Sequence, residues 1–268
     1  MGKRVVLLFT PILLALACGG SSEDDPSVTR PEDDAIEVGP LGEGRFEELL
    51  STLSLQLEDS IKGDFARGSR RHLWRFTNRL REGSLSQAQR GRVAEFLEGL
   101  VTSHPRNSDD LEQWLFMTQN LMIGDVAPNI VGTDFDGAEF DLTDFRGKVT
   151  VLYFTGEWCG PCRREYPYQR QMLENFGAEP FAIVAVSSDK DPEKAKQAKI
   201  DNELPYPAWF DGGGTRGPIA TRWGVTGWPT VYIMDPEGRI RFVGRRHEET
   251  ELAARYLLDE MAEGAGIN

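Results

Sequence analysis

Two kinds of hydrophobic pattern divide this chain. Over residues 45–123 the apolar positions recur every three or four residues, which predicts amphipathic helices. Phe46, Leu49, Leu50, Leu53, Leu57 and Ile61 form the first stripe, and Leu73, Phe76 and Leu80 a second. Ser86 and Gln89 have the spacing of a capping box and open a third helix, with Val93, Phe96, Leu97, Leu100 and Val101 on one face. Pro105 follows its end, and Leu111, Trp114, Leu115, Thr118 and Leu121 make a fourth. Four such helices can bury their stripes in a small bundle. From Asp125 onward short apolar runs alternate with helical patterns instead. Asp136-Gly137 sits between the segments 129–132 and 139–142 as a hairpin turn signal. Val149–Phe154, Phe181–Val186 and Thr230–Met234 read as buried strands. Helices are predicted from about Pro161 to Phe176, from Asp191-Pro192 to Glu203, and from Glu248 to Ala262. Asp235-Pro236-Glu237-Gly238 turns the chain into a last strand, Arg239–Val243. Strands alternating with helices predict a layered α/β sheet preceded by a small all-α segment.

The N-terminus has a different pattern. Lys3 and Arg4 precede an apolar run, Val5–Ala17, that is shorter than the ~20 residues of a membrane-spanning helix. It ends Ala15-Leu16-Ala17-Cys18. Residues 1–17 are therefore expected to be a signal peptide. The segment resembles a bacterial lipoprotein signal, which implies lipidation of Cys18. Ala15 departs from the leucine preferred three residues before that cysteine, and the same letters also satisfy ordinary secretory cleavage. Residues 18–44 are rich in Gly, Ser, Asp, Glu and Pro and read as a disordered tether. The expected organisation is thus 1–17 leader, 18–44 tether, 45–123 helical domain and 124–268 α/β domain.

Composition narrows the function. The chain has 268 residues, 40% of them apolar and 27% charged, which suits a packed globular protein. A net charge of −13 excludes nucleic acid as an expected partner, because a phosphate-binding surface needs a basic footprint. Arg67, Arg71, Arg75 and Arg79 fall four apart. They form either a solvated face neutralised by acidic neighbours or a docking face for an acidic partner or anionic headgroups.

The cysteines carry the chemistry. There are three, Cys18, Cys159 and Cys162. With Cys18 used elsewhere, Cys159–Cys162 is the only possible intrachain disulfide, and so short a loop staples little chain. Zinc needs two more ligands, and His72, His104 and His247 do not stand at zinc-ligand spacing from the pair, so no metal site is expected. No cofactor is expected either. A strand before the pair and a helix after it place Cys159 at a helix N-terminus, where the macrodipole and free N–H groups favour a thiolate. A thiolate there is an attacking group for thiol–disulfide exchange.

Several motifs now converge: Asp125-Val126-Ala127-Pro128, Gly147-Lys148 before the apolar strand, Trp158-Cys159-Gly160-Pro161-Cys162, Pro167 in the following helix, and Gly227-Trp228-Pro229-Thr230. With these, residues from about Asp125 to Ala262 resemble a thioredoxin-like domain of the TlpA/ResA type, a group of exported, membrane-tethered thiol–disulfide oxidoreductases. The resemblance implies that Cys159 is the exposed nucleophile and Cys162 the resolving thiol, joined as a disulfide when oxidised. It implies that Trp158, Gly160, Pro161, Trp228 and a cis Pro229 form the substrate-facing surface. Tyr153 stands where thioredoxins hold a buried Asp, whereas Glu165 stands where ResA-like proteins hold a Glu, so the resemblance makes Glu165 the catalytic acid; Glu157 competes for that role. Implied partners are protein thiols and disulfides, such as the haem-attachment cysteines of apocytochrome c in cytochrome c maturation, and a membrane thiol electron donor. The implied location is the bacterial cell envelope, held to the membrane through Cys18 and facing the periplasm.

Two other activities use the same letters. A thiol peroxidase shares the Ala-Pro opening motif, but Thr155 lies four residues before Cys159, one too many, and position 151 is Val rather than Pro. A non-catalytic anchored adaptor is the third reading, and the intact cysteine pair argues against it.

Overall fold

A computed structural model describes residues 39–265 except 62–71, 73–74, 78, 82 and 104–107. The leader 1–17, Cys18, most of the tether, Arg67, Arg71 and Leu73 lie outside the described residues. The sequence places the end of the tether at 44. In the structure Pro40 already pairs with Ser84, and the first helix starts at Glu43.

Helix α1 (Glu43–Ile61) buries Phe46, Leu49, Leu53 and Leu57 at the predicted spacing. Phe76 and Leu80 are likewise buried, in helical turns at 75–77 and 79–80. Helix α2 (Gln87–Ser103) opens with the expected capping box. The Ser86 N–H donates to Gln89 Oε1 at 3.0 Å and the Gln89 N–H donates to Ser86 Oγ at 3.2 Å. The Gln89 amide also donates to Leu41 O, tying α2 to the chain entering α1. Helix α3 (Ser108–Asn120) buries Leu111, Trp114, Met117 and Thr118.

After α3 come the hairpin strands β1 (Val131–Thr133) and β2 (Glu139–Asp141), paired antiparallel across a turn where Gly137 has φ +82°. The main elements then follow in order: β3 (Val149–Thr155), α4 (Gly160–Phe176), β4 (Phe181–Ser187), α5 (Pro192–Asp201), β5 (Ala208–Phe210), α6 (Pro218–Arg222), β6 (Thr230–Met234), β7 (Ile240–Val243) and α7 (Glu248–Gly264). The main sheet runs β5-β4-β3-β6-β7. β3, β4 and β5 are mutually parallel, and β6 and β7 are antiparallel. This is the thioredoxin-like arrangement, in which β3 delivers the chain to the sheet's centre and α4 starts at its C-terminal end.

Both faces of the sheet are covered, which is why its central strands are apolar along their whole length. Leu152, Phe154, Val184, Val186, Tyr232 and Met234 point to one face and join a single core with Phe46, Leu97, Trp114 and Met117 of the helical segment. The alternate residues, Val151, Tyr153, Ile183 and Ile233, point to the other face. There α4 and α7 pack on β3, β4 and β6 and on each other. The helical stripes are thus buried as the pattern predicts, yet their core is continuous with the sheet rather than closed within a bundle.

Polar contacts reinforce that junction. Arg90 pairs with Asp125 and donates to Ile123 O at 3.0 Å, while Asp125 also accepts from the Met122 N–H at 2.8 Å. The residues after Asp125 run antiparallel beside the start of β7, with Val126 facing Arg239. This gives Asp125, the first residue of the predicted opening motif, a clamping role between the two parts.

Candidate active site

Strand β3 ends at Thr155, and a turn through Gly156 brings the chain to Cys159, the N-cap of α4. The Cys162 N–H donates to Cys159 Sγ at 3.2 Å. Cys159 and Cys162 form a disulfide, with Cα atoms 5.2 Å apart. Cys162 is fully enclosed and Cys159 is 4% exposed. The resemblance implies an exposed Cys159, and the oxidised pair departs from that: the sulfur nearer solvent is itself almost closed off. Gly160 and the exposed Pro161 form the first turn of α4, and Pro167 lies inside the helix.

The two tryptophans converge on one residue. The Trp158 indole N–H donates to Ser188 O, and the Trp228 indole N–H to Ser188 Oγ, each at 3.0 Å. Their rings meet edge to face at 5.7 Å. Trp158 nevertheless stays 52% exposed. Trp228-Pro229 is a cis peptide bond, and Thr230 Oγ1 donates to Gly227 O across the turn. Ser188 follows the last residue of β4, so the strand end, the cysteine turn and the cis-proline loop come together. Sequence reading missed Ser188, because nothing local marks it as the anchor of indoles 30 and 40 positions away.

The two candidate acids lie in different surroundings. Glu157 is partly exposed; it accepts from the Tyr166 hydroxyl at 3.0 Å and lies 3.6 Å from an Arg163 guanidinium nitrogen. Burial, and then the charge of Glu157, raise the Tyr166 phenol above its ordinary pKa. Glu165 is 1% exposed, one helical turn beyond Cys162. Its Oε2 accepts from the His247 N–H at 3.0 Å, and the His247 ring nitrogen Nε2 lies 3.7 Å from Oε1. Oε1 has no hydrogen-bond partner among the described residues. His247 has φ +53° and stacks edge to face on Tyr168 at 4.7 Å.

Tyr153, in the place of the thioredoxin acid, is fully buried. Its hydroxyl lies near Thr250 and Gln169 but is hydrogen-bonded to neither among the described residues. Burial, and secondarily the charge of Glu165, push its phenol well above the ordinary range, so it stays a neutral hydroxyl. Glu165 is thus a carboxylate enclosed on the same helix as Cys162, one turn beyond it. Its partner His247 is 82 positions away, and the sequence offers no signal of that pairing beyond a histidine at a predicted helix start.

Comparisons with known proteins follow the same part of the chain. A model of the AhpC/TSA family matches residues 123–243. The chain is similar to the thiol-disulfide oxidoreductase ResA of Bacillus thuringiensis subsp. konkukian, 33% identical over 139 residues, covering 52% of this chain and 79% of that protein. It is similar also to ResA of Bacillus subtilis, 29% identical over 122 residues, covering 46% and 66%. Among solved structures, the thioredoxin domain of a thiol-disulfide oxidoreductase from Bacteroides vulgatus is 27% identical with a TM-score of 0.49, covering 52% of this chain and 99% of that one.

Proposed function

The chain belongs to the ResA family of thiol-disulfide oxidoreductases, and we propose that it reduces protein disulfides outside the cytoplasm through a Cys159/Cys162 dithiol. The observation that carries this reading is Cys159 at the N-cap of a 17-residue helix, its sulfur accepting the Cys162 N–H beside the cis Trp228-Pro229 loop. That N–H and the helix dipole favour negative charge on Cys159 Sγ once the pair is reduced.

The reaction proceeds in two exchanges. The Cys159 thiolate attacks one sulfur of a substrate disulfide; the mixed disulfide forms and the other substrate sulfur leaves as a thiolate. Cys162 then gives its proton to Glu165 and attacks Cys159 Sγ, releasing the second substrate sulfur as a thiolate; Glu165 passes on its proton and solvent supplies one more, so that both substrate sulfurs end as thiols. The products are a substrate dithiol and the Cys159–Cys162 disulfide, the state present in the structure. An external dithiol, expected to belong to a membrane partner, returns the two electrons. The buried site of Glu165 supports its part as proton acceptor, whereas Glu157 is already engaged by Tyr166 and Arg163. Gly160-Pro161 between the cysteines supports the reducing direction, since the same dipeptide accompanies a potential of about −270 mV in thioredoxin. Lys3, Arg4, the apolar run and Cys18 support an envelope location with a lipid anchor. Thiol peroxidase chemistry gains no support, because Thr155 and Val151 do not provide the peroxidatic spacing.

Equilibrating the protein with defined thiol–disulfide buffers measures its potential. A value near −270 mV is expected, and one above about −200 mV overturns the reducing direction. In an insulin-reduction assay the wild type is expected to be active and Cys159→Ser inactive; equal rates sink the dithiol mechanism.

A further inference from the structure

A groove of about 460 Å³ opens beside the cis-proline loop. Arg81 and Trp114 reach it from the helical segment, Trp228 and Pro229 from the loop, and Arg245 and Arg246 from the turn between β7 and α7. Three arginines and no acidic residue line it, in a chain whose net charge is −13. None of the three forms an ion pair among the described residues. Arg81 donates to the Tyr232 hydroxyl at 3.1 Å and lies over that ring, and Arg245 lies over the Phe242 ring. Tyr232, itself in the groove, carries the Arg81 guanidinium without supplying a counter-charge, whereas Phe242, paired with Ile233 on the sheet's other face, carries that of Arg245. Arg241, only a few positions before Arg245, is by contrast closed by Glu260 and Asp235. Among the described residues the positive charge of the groove is therefore local and without an ion-pair partner, while the net charge of the whole molecule repels acidic chains.

The groove also has the right address. Residues 227–230 belong both to its lining and to the loop whose Trp228 ring meets that of Trp158, the residue before Cys159. The groove thus lies next to the loop along which we infer that a polypeptide presenting a sulfur to Cys159 would run. Its side chains there meet Arg81, Arg245 and Arg246, together with the apolar surface of Trp114.

We propose that this groove binds an acidic stretch of the protein substrate, adjacent to the cysteine that reacts with Cys159. The inference rests on the disulfide-reductase reading and deepens it into a substrate preference. It also gives the helical segment a task in recognition, since Arg81 and Trp114 belong to that segment. Electrostatic complementarity of this kind sets selectivity and association rate more than ultimate affinity.

The test uses the full chain in its dithiol form and two model peptides, each with one intramolecular disulfide. One carries Asp and Glu beside the cysteines and the other Asn and Gln. The ratio of kcat/KM values, acidic over neutral, is expected to be about tenfold at low ionic strength, from a few part-exposed ion pairs. It should fall toward one near ~1 M salt, where screening acts within ~3 Å. Arg245→Gln/Arg246→Gln, and separately Arg81→Gln, should lower the ratio several-fold, and lysine at the same positions should keep most of it. The salt dependence of the wild type tests the groove even if a variant fails to fold. A wild type that reduces both peptides with equal kcat/KM overturns the groove and leaves the reductase reading intact. A wild type that reduces neither overturns the reductase reading and the groove with it. Binding to vesicles containing phosphatidylglycerol is the last arm. Arginine variants that lose vesicle binding but keep the peptide ratio make the groove a headgroup site and overturn the proposal.

Discussion

Glu165 is a carboxyl group sealed between α4 and the start of α7, with one backbone donor and one oxygen left without a hydrogen bond among the described residues. A glutamine there keeps the volume and an acceptor for the His247 N–H, but it cannot take a proton. Glu165→Gln is therefore expected to slow the second exchange about a hundredfold, the range of a lost general base. Acid quenching followed by mass analysis should then show the Cys159 mixed disulfide accumulating. If the mixed disulfide turns over as fast as in the wild type, Glu165 is not the proton acceptor. The sequence points to this residue through its resemblance to ResA-like proteins, which hold a Glu at that place. It does not show that His247 and Tyr153 enclose it, because their proximity depends on how α7 lies over β3. Ser188 was invisible for the same reason, since its two indole partners arrive from different loops.

At the scale of elements, the sequence pattern served best where a strand or helix was long enough to bury a full face. β3, β4, β6, α4 and α7 fall within a residue or two of their predicted bounds. β5 and α6, three and five residues long, were not predicted, because neither spans enough positions to show a period. α6 is set instead by Asp211, whose carboxylate accepts the Ile219 and Ala220 N–H groups at 2.7 and 2.9 Å. Burial raises the pKa of Asp211, and these two bonds lower it by less. An acid with a raised folded pKa favours its neutral form on folding. Its contribution is full below the unfolded value near ~3.9 and is lost as pH rises through the folded one. Relative to wild type, Asp211→Asn should thus gain stability as pH rises above about 4, the unfolded value. Urea unfolding at a series of pH values reads this difference directly, and a flat difference contradicts it.

For the molecule as a whole, the amphipathic stripes at 45–123 were legible, but not the surface they cover. A helical stripe states how much must be buried, and nothing in it names the partner. The structure seats Met117 against Gly224, which has φ +62°; a β-carbon at Gly224 would fall 1.8 Å from Met117 Sδ. Gly224→Ala is expected to cost about 2–4 kcal/mol, combining left-handed backbone strain with overpacking. A loss below about 0.5 kcal/mol in urea unfolding, the size of an ordinary surface change, means that this junction yields freely. The continuous core has a temporal consequence. Ribosomal synthesis makes α1, α2 and α3 first, whereas Tyr232, the hydrogen-bond partner of Arg81, follows it by 151 positions. Trp114, Met117 and Leu121 thus wait uncovered until most of the chain exists. Nascent molecules carry a sticky apolar face through much of their production, the period in which holdase chaperones matter most.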